Sequence, residues 1–349
     1  MKNAKLRYLT QQDIIHAGLT LRGAVAIIED VLKDHAEKQY ANPPKPAIHP
    51  REGAFFHAMP GYLPRKKATG IKWISGFSSN PKIGLPSITG LVVLNDVNTG
   101  VPVAVMDATY ITAIRTAAVT AVAAKYLSTK TAATIGIVGA GVQGRYNLFA
   151  LREVLPEIQR VRFYVTDSDL LRRTTKMIAD VAPFDVEAET SARHVIEDAD
   201  IVLTATGMLA EAIFKADWVQ KVPLVLPIHS GGWEREAICT ADKFIVDDWK
   251  QFSAVYDTPG SRYAPLPELY AELGEIVAGI KPGREDPSER IINFNFGIVL
   301  HDIAIAKKLL IVAREKGIGR KLPWEKAGVP FLPPTLCDKP NYVLDAFSA

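Results

Sequence analysis

The sequence predicts an α/β protein: a doubly wound parallel sheet over residues 126–316, and a smaller α+β domain over residues 1–125 that takes back residues 317–349. Two observations carry the larger unit. First, the apolar run Thr134-Ile135-Gly136-Ile137-Val138 leads into Gly139-Ala140-Gly141-Val142-Gln143-Gly144 and then a helix-like stretch. A glycine turn of this kind lets backbone approach a pyrophosphate, and the N–H groups at the helix start hold its charge. Second, the β-like run Val161-Arg162-Phe163-Tyr164-Val165 ends in Thr166-Asp167-Ser168, and Asp167 follows Gly144 by 23 residues. That is close to the offset at which a Rossmann unit places the acid that accepts ribose hydroxyls. Gly139, Gly141, Val142, Gln143, Gly144, Asp167 and Ser168 are therefore candidate cofactor-binding residues. An acid here repels a 2′-phosphate, which favours NAD over NADP. Arg172 and Arg173 nearby keep NADP open.

The remaining elements follow in order. Thr10-Gln11-Gln12-Asp13 starts a helix in the manner of a capping box, and Ala24, Ile27, Ile28, Val31 and Leu32 recur at helical spacing. The proline-rich Asn42-Pro43-Pro44-Lys45-Pro46 ends that helix. Short β-like runs over 55–59, 70–75, 89–94 and 101–106 then predict an antiparallel sheet, with Asn98-Thr99-Gly100 as a hairpin turn between the last two. Thr112 to Tyr126 is an alanine-rich connecting helix. From Thr131 strand and helix alternate, with further strands at 185–188, 200–205, 223–228 and 243–247. Thr204, Ala205 and Thr206 end one of these strands on the side where such sheets bind ligands, beside the expected cofactor. A helix from His301 to about Lys316 closes the unit, and the tail from Leu322 is expected to wrap irregularly on the surface.

Composition narrows the function. A net charge of +3, from 41 basic and 38 acidic residues, leaves no footprint for nucleic acid or an anionic membrane. Two cysteines, Cys239 and Cys337, offer neither a disulfide framework nor a metal site, so a reducing cytoplasm is expected. The polar N-terminus has no apolar h-region and no run of about 18 apolar residues occurs, so a soluble, unprocessed protein is expected.

Two side chains stand out chemically. Lys72 lies inside the apolar run Ile71–Ile74, where a lysine either lines a cleft and loses pKa by desolvation or alternates out into water. Arg115 opens Arg115-Thr116-Ala117-Ala118, whose small side chains leave its planar fork room to grip a carboxylate. A simply solvated helical arginine is the alternative.

Gly70-Ile71-Lys72, Gly84–Gly90, Asp96–Gly100 and Asp107–Ala118 resemble the ornithine cyclodeaminase/mu-crystallin family. So do the glycine turn, Ala199–Val202, and Gly297 with Asp302. The likeness spans roughly residues 8–316. It implies a homodimer paired through the small domain, with NAD(P)H in the Rossmann domain. Family activities include cyclodeaminases, alanine dehydrogenases and ketimine or cyclic imine reductases, beside a thyroid-hormone-binding crystallin. By motif position Lys72 resembles the lysine that contacts the reacting amino or carbonyl group, and Arg115 the arginine that clamps the carboxylate. Thr112 and Gly297 join the cofactor set, and Met59 joins Lys45 and Arg115 in the substrate set.

Two departures from the family pattern bear on chemistry. Lys45 stands where the family usually has arginine after its proline, replacing a fork by a point charge. Cyclodeaminases place a catalytic aspartate soon after the strand at 223–228, whereas this chain reads His229-Ser230-Gly231-Gly232-Trp233-Glu234. His229 is the candidate proton shuttle there, since imidazole exchanges protons near neutrality, and a water on Glu234 is the substitute. Asp302, at a helix start, reads as a cap. The expected function is an NAD(P)-dependent oxidoreductase of a small 2-imino or 2-oxo acid, or of the matching amino acid. A cyclodeaminase and a non-catalytic NAD(P)H-binding protein are the alternatives.

Overall fold

The computed structural model describes residues 5–207, 209, 211–228, 231–258 and 260–323. Strand β1 (Lys5–Leu9) leads into α1 (Gln11–Ala17) and α2 (Leu21–Ala36). Thr10 caps α1 through the capping box seen in the sequence, its hydroxyl accepting from Asp13 N while Asp13 accepts from Thr10 N. Then come β2 (Ala47–Ile48), β3 (Ala54–Leu63), β4 (Ala68–Phe77), β5 (Ile88–Asn95), β6 (Pro102–Asp107) and the long α3 (Ala108–Leu127). The helix begins four residues before the expected Thr112, because Asp107 caps it by accepting from Thr109 N and Tyr110 N.

The second sheet is built by β7 (Thr134–Val138), α4 (Val142–Val154), β8 (Arg160–Tyr164), α5 (Ser168–Val181), β9 (Asp185–Ala188), α6 (Ala192–Glu197) and β10 (Ile201–Thr204). It continues through β11 (Leu224–Pro227), α7 (Arg235–Cys239), β12 (Lys243–Val246), α8 (Trp249–Tyr256), β13 (Ala271–Glu272), α9 (Leu273–Val277) and β14 (Ile291–Phe294). Helix α10 (Val299–Glu315) and β15 (Arg320–Pro323) complete the described chain.

Two sheets result. The first runs β15-β1-β6-β5-β4-β3-β2, antiparallel except that β1 lies parallel to β6. The second runs β13-β12-β14-β11-β10-β7-β8-β9 and is parallel throughout, a doubly wound Rossmann-type sheet. Strand order reverses between β7 and β10, so the crevice where such sheets bind ligands opens beyond their carboxyl ends. The expectation of six strands misses β13 and β14. Strand β14 is a four-residue run broken by Asn293, yet it lies between β11 and β12. Strand β1 was missed because Lys5 and Arg7 make it read as polar. Arg7 is in fact buried, its guanidinium donating to Ala313 O and Ile318 O.

Helix α10, grouped by the sequence with the nucleotide-binding unit, packs on β3, β4, β5, α2 and α3. It therefore brings residues 297–302, at the carboxyl side of β14, against the first sheet. That placement builds the site. Among the described residues no helix is long and apolar enough to cross a membrane.

Candidate active site

The glycine turn forms the floor of the crevice. Gly139 has φ +112, and a Cβ there would lie 2.4 Å from Ala205 O, so glycine is what lets the ends of β7 and β10 touch. A Cβ on Gly144 would lie 2.0 Å from Gly139 O, which fixes α4 tightly under the turn. Gly141 differs: nothing lies within 4 Å of its Cβ position, and no side chain caps the helix it starts. The N-terminus of α4 therefore presents open backbone donors beside a cradle that any side chain would fill, which suits a pyrophosphate. Val142, at the first helical position, is an exposed apolar side chain over the same opening.

Nearby positions divide by their partners. Asp167 follows β8, is exposed, and caps α5 with Oδ1 accepting from Leu170 N at 2.9 Å. Its second oxygen faces no described partner, and Ser168 beside it is exposed. The buried hydroxyl of Thr112 also has no partner among the described residues. Thr204 is fully buried, its hydroxyl accepting from Trp233 Nε1 at 3.2 Å, so its polar group serves the fold. Ala205 and Thr206 supply the backbone that meets Gly139. These features fit a dinucleotide along the crevice. Because serine can still cap α5, Asp167→Ser is expected to keep the fold while weakening NADH more than NADPH by about 1–2 kcal/mol, measured by titrating both coenzymes. An unchanged preference would remove the acid from the ribose.

The second half of the site lies where the first sheet meets α10. Along β4, side chains alternate: Trp73 is exposed, whereas Lys72 turns inward in register between Met59 of β3 and Val92 of β5. Lys72 is 1 % exposed and its Nζ donates to Asp302 Oδ2 at 2.9 Å. Arg115, buried on α3, brings its Nε within 3.3 Å of the other oxygen, Asp302 Oδ1, in an ion pair without hydrogen-bond geometry. One fully buried carboxylate thus bridges two buried cations.

Asp302 does not cap its helix, contrary to the expectation from its place near a helix start. Ile298 occupies the cap, and a helix starting at Val299 turns Asp302 inward one turn later, toward β4 and α3. Burial pulls the Lys72 ammonium down to about 8, with Asp302 opposing the shift and Arg115 adding to it.

Lys45 reaches the same place from the proline-rich segment. Its Nζ donates to Phe296 O at 2.9 Å and Gly297 O at 3.3 Å, and sits 3.6 Å from the centre of the Phe296 ring. Burial lowers its pKa; Asp247 opposes this, and Lys72 and Arg115 reinforce it. Gly297 has φ +90, and a Cβ there would meet the terminal guanidinium nitrogens of Arg115 at 3.0 and 3.2 Å. Those nitrogens have no hydrogen-bond partner among the described residues, so they are available to a carboxylate.

The structure therefore gathers Lys45, Met59, Lys72, Arg115 and Gly297 at one seam. His57 and Asp247 belong there too, although the sequence singled out neither. His57 lies on the inward face of β3 beside Met59, and burial with the charges of Lys45, His49 and Lys72 holds it down at about 4. Asp247 directly follows β12 in a fully buried position, accepting from Phe296 N and Gly297 N. Its signal was the pair Asp247-Asp248 after an apolar strand. His229 lies outside the described residues, as do Cys337 and the tail beyond Pro323. Glu234 accepts from Ala216 N at 3.1 Å.

Fold and site together define the class: a dinucleotide-type parallel sheet joined to a smaller α+β unit, with a carboxylate-bridged lysine and arginine at the seam. The model of the ornithine cyclodeaminase/mu-crystallin family matches residues 7–316, and the chain belongs to that family. It is 41 % identical over 321 residues to the nodulation efficiency protein NfeD of Rhizobium meliloti, covering 90 % of this chain and 98 % of that one. Among solved structures it superposes with TM-score 0.83 on the Thermococcus litoralis Δ1-pyrroline-2-carboxylate reductase in complex with NADH and L-proline, at 28 % identity, covering 90 % of this chain and 99 % of that one. An archaeal alanine dehydrogenase dimer with bound NAD gives TM-score 0.82 at 29 % identity, covering 92 % and 100 %.

Proposed function

We propose that this chain is an NAD(P)-dependent oxidoreductase of small 2-imino or 2-oxo acids and the matching amino acids, an amino-acid dehydrogenase or imine reductase, with NAD favoured. The observation that carries this reading is the buried Lys72–Asp302–Arg115 bridge at the seam between the two sheets. The imine reductase and the amino-acid dehydrogenase above, each with a nicotinamide cofactor in its structure, support the same chemistry.

When bound along the crevice, the reduced nicotinamide supplies the hydride. The chain's own residues do the rest. Arg115 takes the substrate carboxylate on its two free terminal nitrogens, and Lys45, with two donors committed to carbonyls, offers its third. Met59 packs beside Lys72. Lys72, held by Asp302, points its ammonium at the carbonyl oxygen or imine nitrogen. It withdraws electron density from the carbon being reduced and can release a proton near neutrality. The buried seam keeps water from these contacts, so each is stronger than at the surface.

His229, which follows the carboxyl end of β11, is the proton shuttle in this reading. The absence of an aspartate in the run from His229 to Glu234 weighs against a cyclodeaminase. The cytoplasm as location rests on the cysteine count, and a homodimer rests on family membership and the dimeric alanine dehydrogenase.

The test is to follow NADH and NADPH absorbance against 2-oxo acids with ammonia or methylamine, and against cyclic imines. Consumption of coenzyme with one of them is the expected result, and binding without turnover across the panel would overturn it. The pH dependence has a definite sign. Imine reduction uses protonated Lys72, so the reductive rate should fall as pH rises through about 8, while amino-acid oxidation gains over the same range. His229→Gln should flatten the limb nearer neutrality and slow turnover about 100-fold. A profile unchanged in His229→Gln would take that residue out of the mechanism.

A further inference from the structure

The segment Asn42–Pro46 has prolines at 43, 44 and 46, so only Asn42 and Lys45 carry backbone N–H groups. Although Ala58 N donates to Pro46 O at 3.3 Å, the segment has almost no donors with which to hold itself by ladder or helix bonds. Lys45 is also a flexible side chain, and a flexible cation on a loose loop makes a poor substrate clamp. Both ends of Lys45 are nonetheless fixed, and both by residues of the stretch 247–251 that follows β12 of the other sheet.

The backbone end is held by Gln251, 3 % exposed on α8. Its side-chain carbonyl accepts from Lys45 N at 3.2 Å, and its NH2 donates to Asn42 O at 3.2 Å and Pro43 O at 2.7 Å. Asp248 sets Gln251 by accepting its N–H at 2.8 Å, and holds the Asn42 side chain at 2.9 Å with its other oxygen.

The ammonium end is held through Asp247. Its oxygens accept from Phe296 N at 2.9 Å and Gly297 N at 2.7 Å, which aims the carbonyls of those two residues at Lys45 Nζ. The side-chain polar atoms of Gln251 and Asp247 are already engaged by backbone groups, so neither is placed to bind substrate. Their bonds instead fix a distance and a direction.

We propose that Gln251 and Asp247 are positioning residues that set the Lys45 ammonium at the fixed spacing from Arg115 that the substrate carboxylate requires. This rests on the reading of Lys45 as a carboxylate contact. Misplacing such a cation by about 1 Å costs on the order of 100-fold when geometry is strict and less when the loop can follow.

A double-mutant cycle tests it, with Lys45→Met, Gln251→Ala and the double variant in the full chain. The readouts are KM and kcat for Δ1-pyrroline-2-carboxylate and for pyruvate with ammonia, together with the NADH dissociation constant. Gln251→Ala should raise KM about tenfold, leave NADH binding within about twofold and change kcat little. The double variant should be no worse than Lys45→Met alone, because Gln251 acts through Lys45. Losses that multiply in the double variant, or an unchanged KM in Gln251→Ala, would overturn the proposal. If Gln251→Ala does not fold, Gln251→Glu serves. It keeps the acceptor for Lys45 N while turning two donors into a charge against carbonyls, so its KM should rise by at least as much. A Lys45→Met variant with unchanged KM marks a different failure: Lys45 is then not at the carboxylate, and the functional reading of that residue falls with the proposal.

Discussion

Lys72→Met is expected to lower turnover about a thousandfold while leaving NADH binding intact and the thermal midpoint close to that of the parent chain. Methionine is unbranched and similar in length, so it refills the slot between Met59 and Val92 without a cavity. What it removes is the donor. The partner charge is not orphaned, because Asp302 keeps Arg115 at 3.3 Å and can tighten onto it. The substitution therefore separates chemistry from stability, and the measurement is steady-state kinetics paired with a melting curve. Near-parental turnover would remove Lys72 from the reaction.

Asp302→Asn is expected to have the opposite signature, a loss of stability as large as the loss of rate. The carboxylate is fully buried and neutralises Lys72 and Arg115 together. Its amide leaves two buried cations facing each other, and breaking a buried pair in this way costs about 3–5 kcal/mol. Lys72 then relieves the strain by losing its proton, so turnover should fall as well. Denaturant unfolding measures the first effect and reductive kinetics the second. A variant with parental stability would show that water already screens the pair.

Much of this was legible in the sequence because local rules coincide with the fold there. The turn at Gly139–Gly144 could be read because a strand, three glycines, a helix and Asp167 have an order that few other structures demand. Lys72 was visible as a charge inside an apolar strand, although spacing alone left its face undecided. The burial of Lys72 beside an exposed Trp73 settled that.

Asp302 was misread for a physical reason. An acid near a helix start is ordinarily a cap, and its actual partners are 230 residues away on β4 and distant on α3. Strand β14 was missed because a central buried strand of four residues carries no alternation, and Asn293 interrupts even its apolar run. Asp247 showed in the sequence only as an acid pair after an apolar strand, and Gln251 carried no signal. Their bonds reach loops some 200 and 50 residues away, which the docking of residues 42–45 on α8 and the pairing of β12 with β14 bring together.

The most direct test of hydride transfer to a substrate carbon at this seam uses NADH deuterated at the transferable position of the nicotinamide ring, incubated with a cyclic imino acid or with a 2-oxo acid and amine. NMR of the product should show deuterium at Cα, one per NADH consumed, and labelled product should form about a thousandfold more slowly when Lys72→Met replaces the parent chain. Ammonia released from L-ornithine with no net change in NADH, or tight NADH binding with no label transferred to any of these acids, would contradict it.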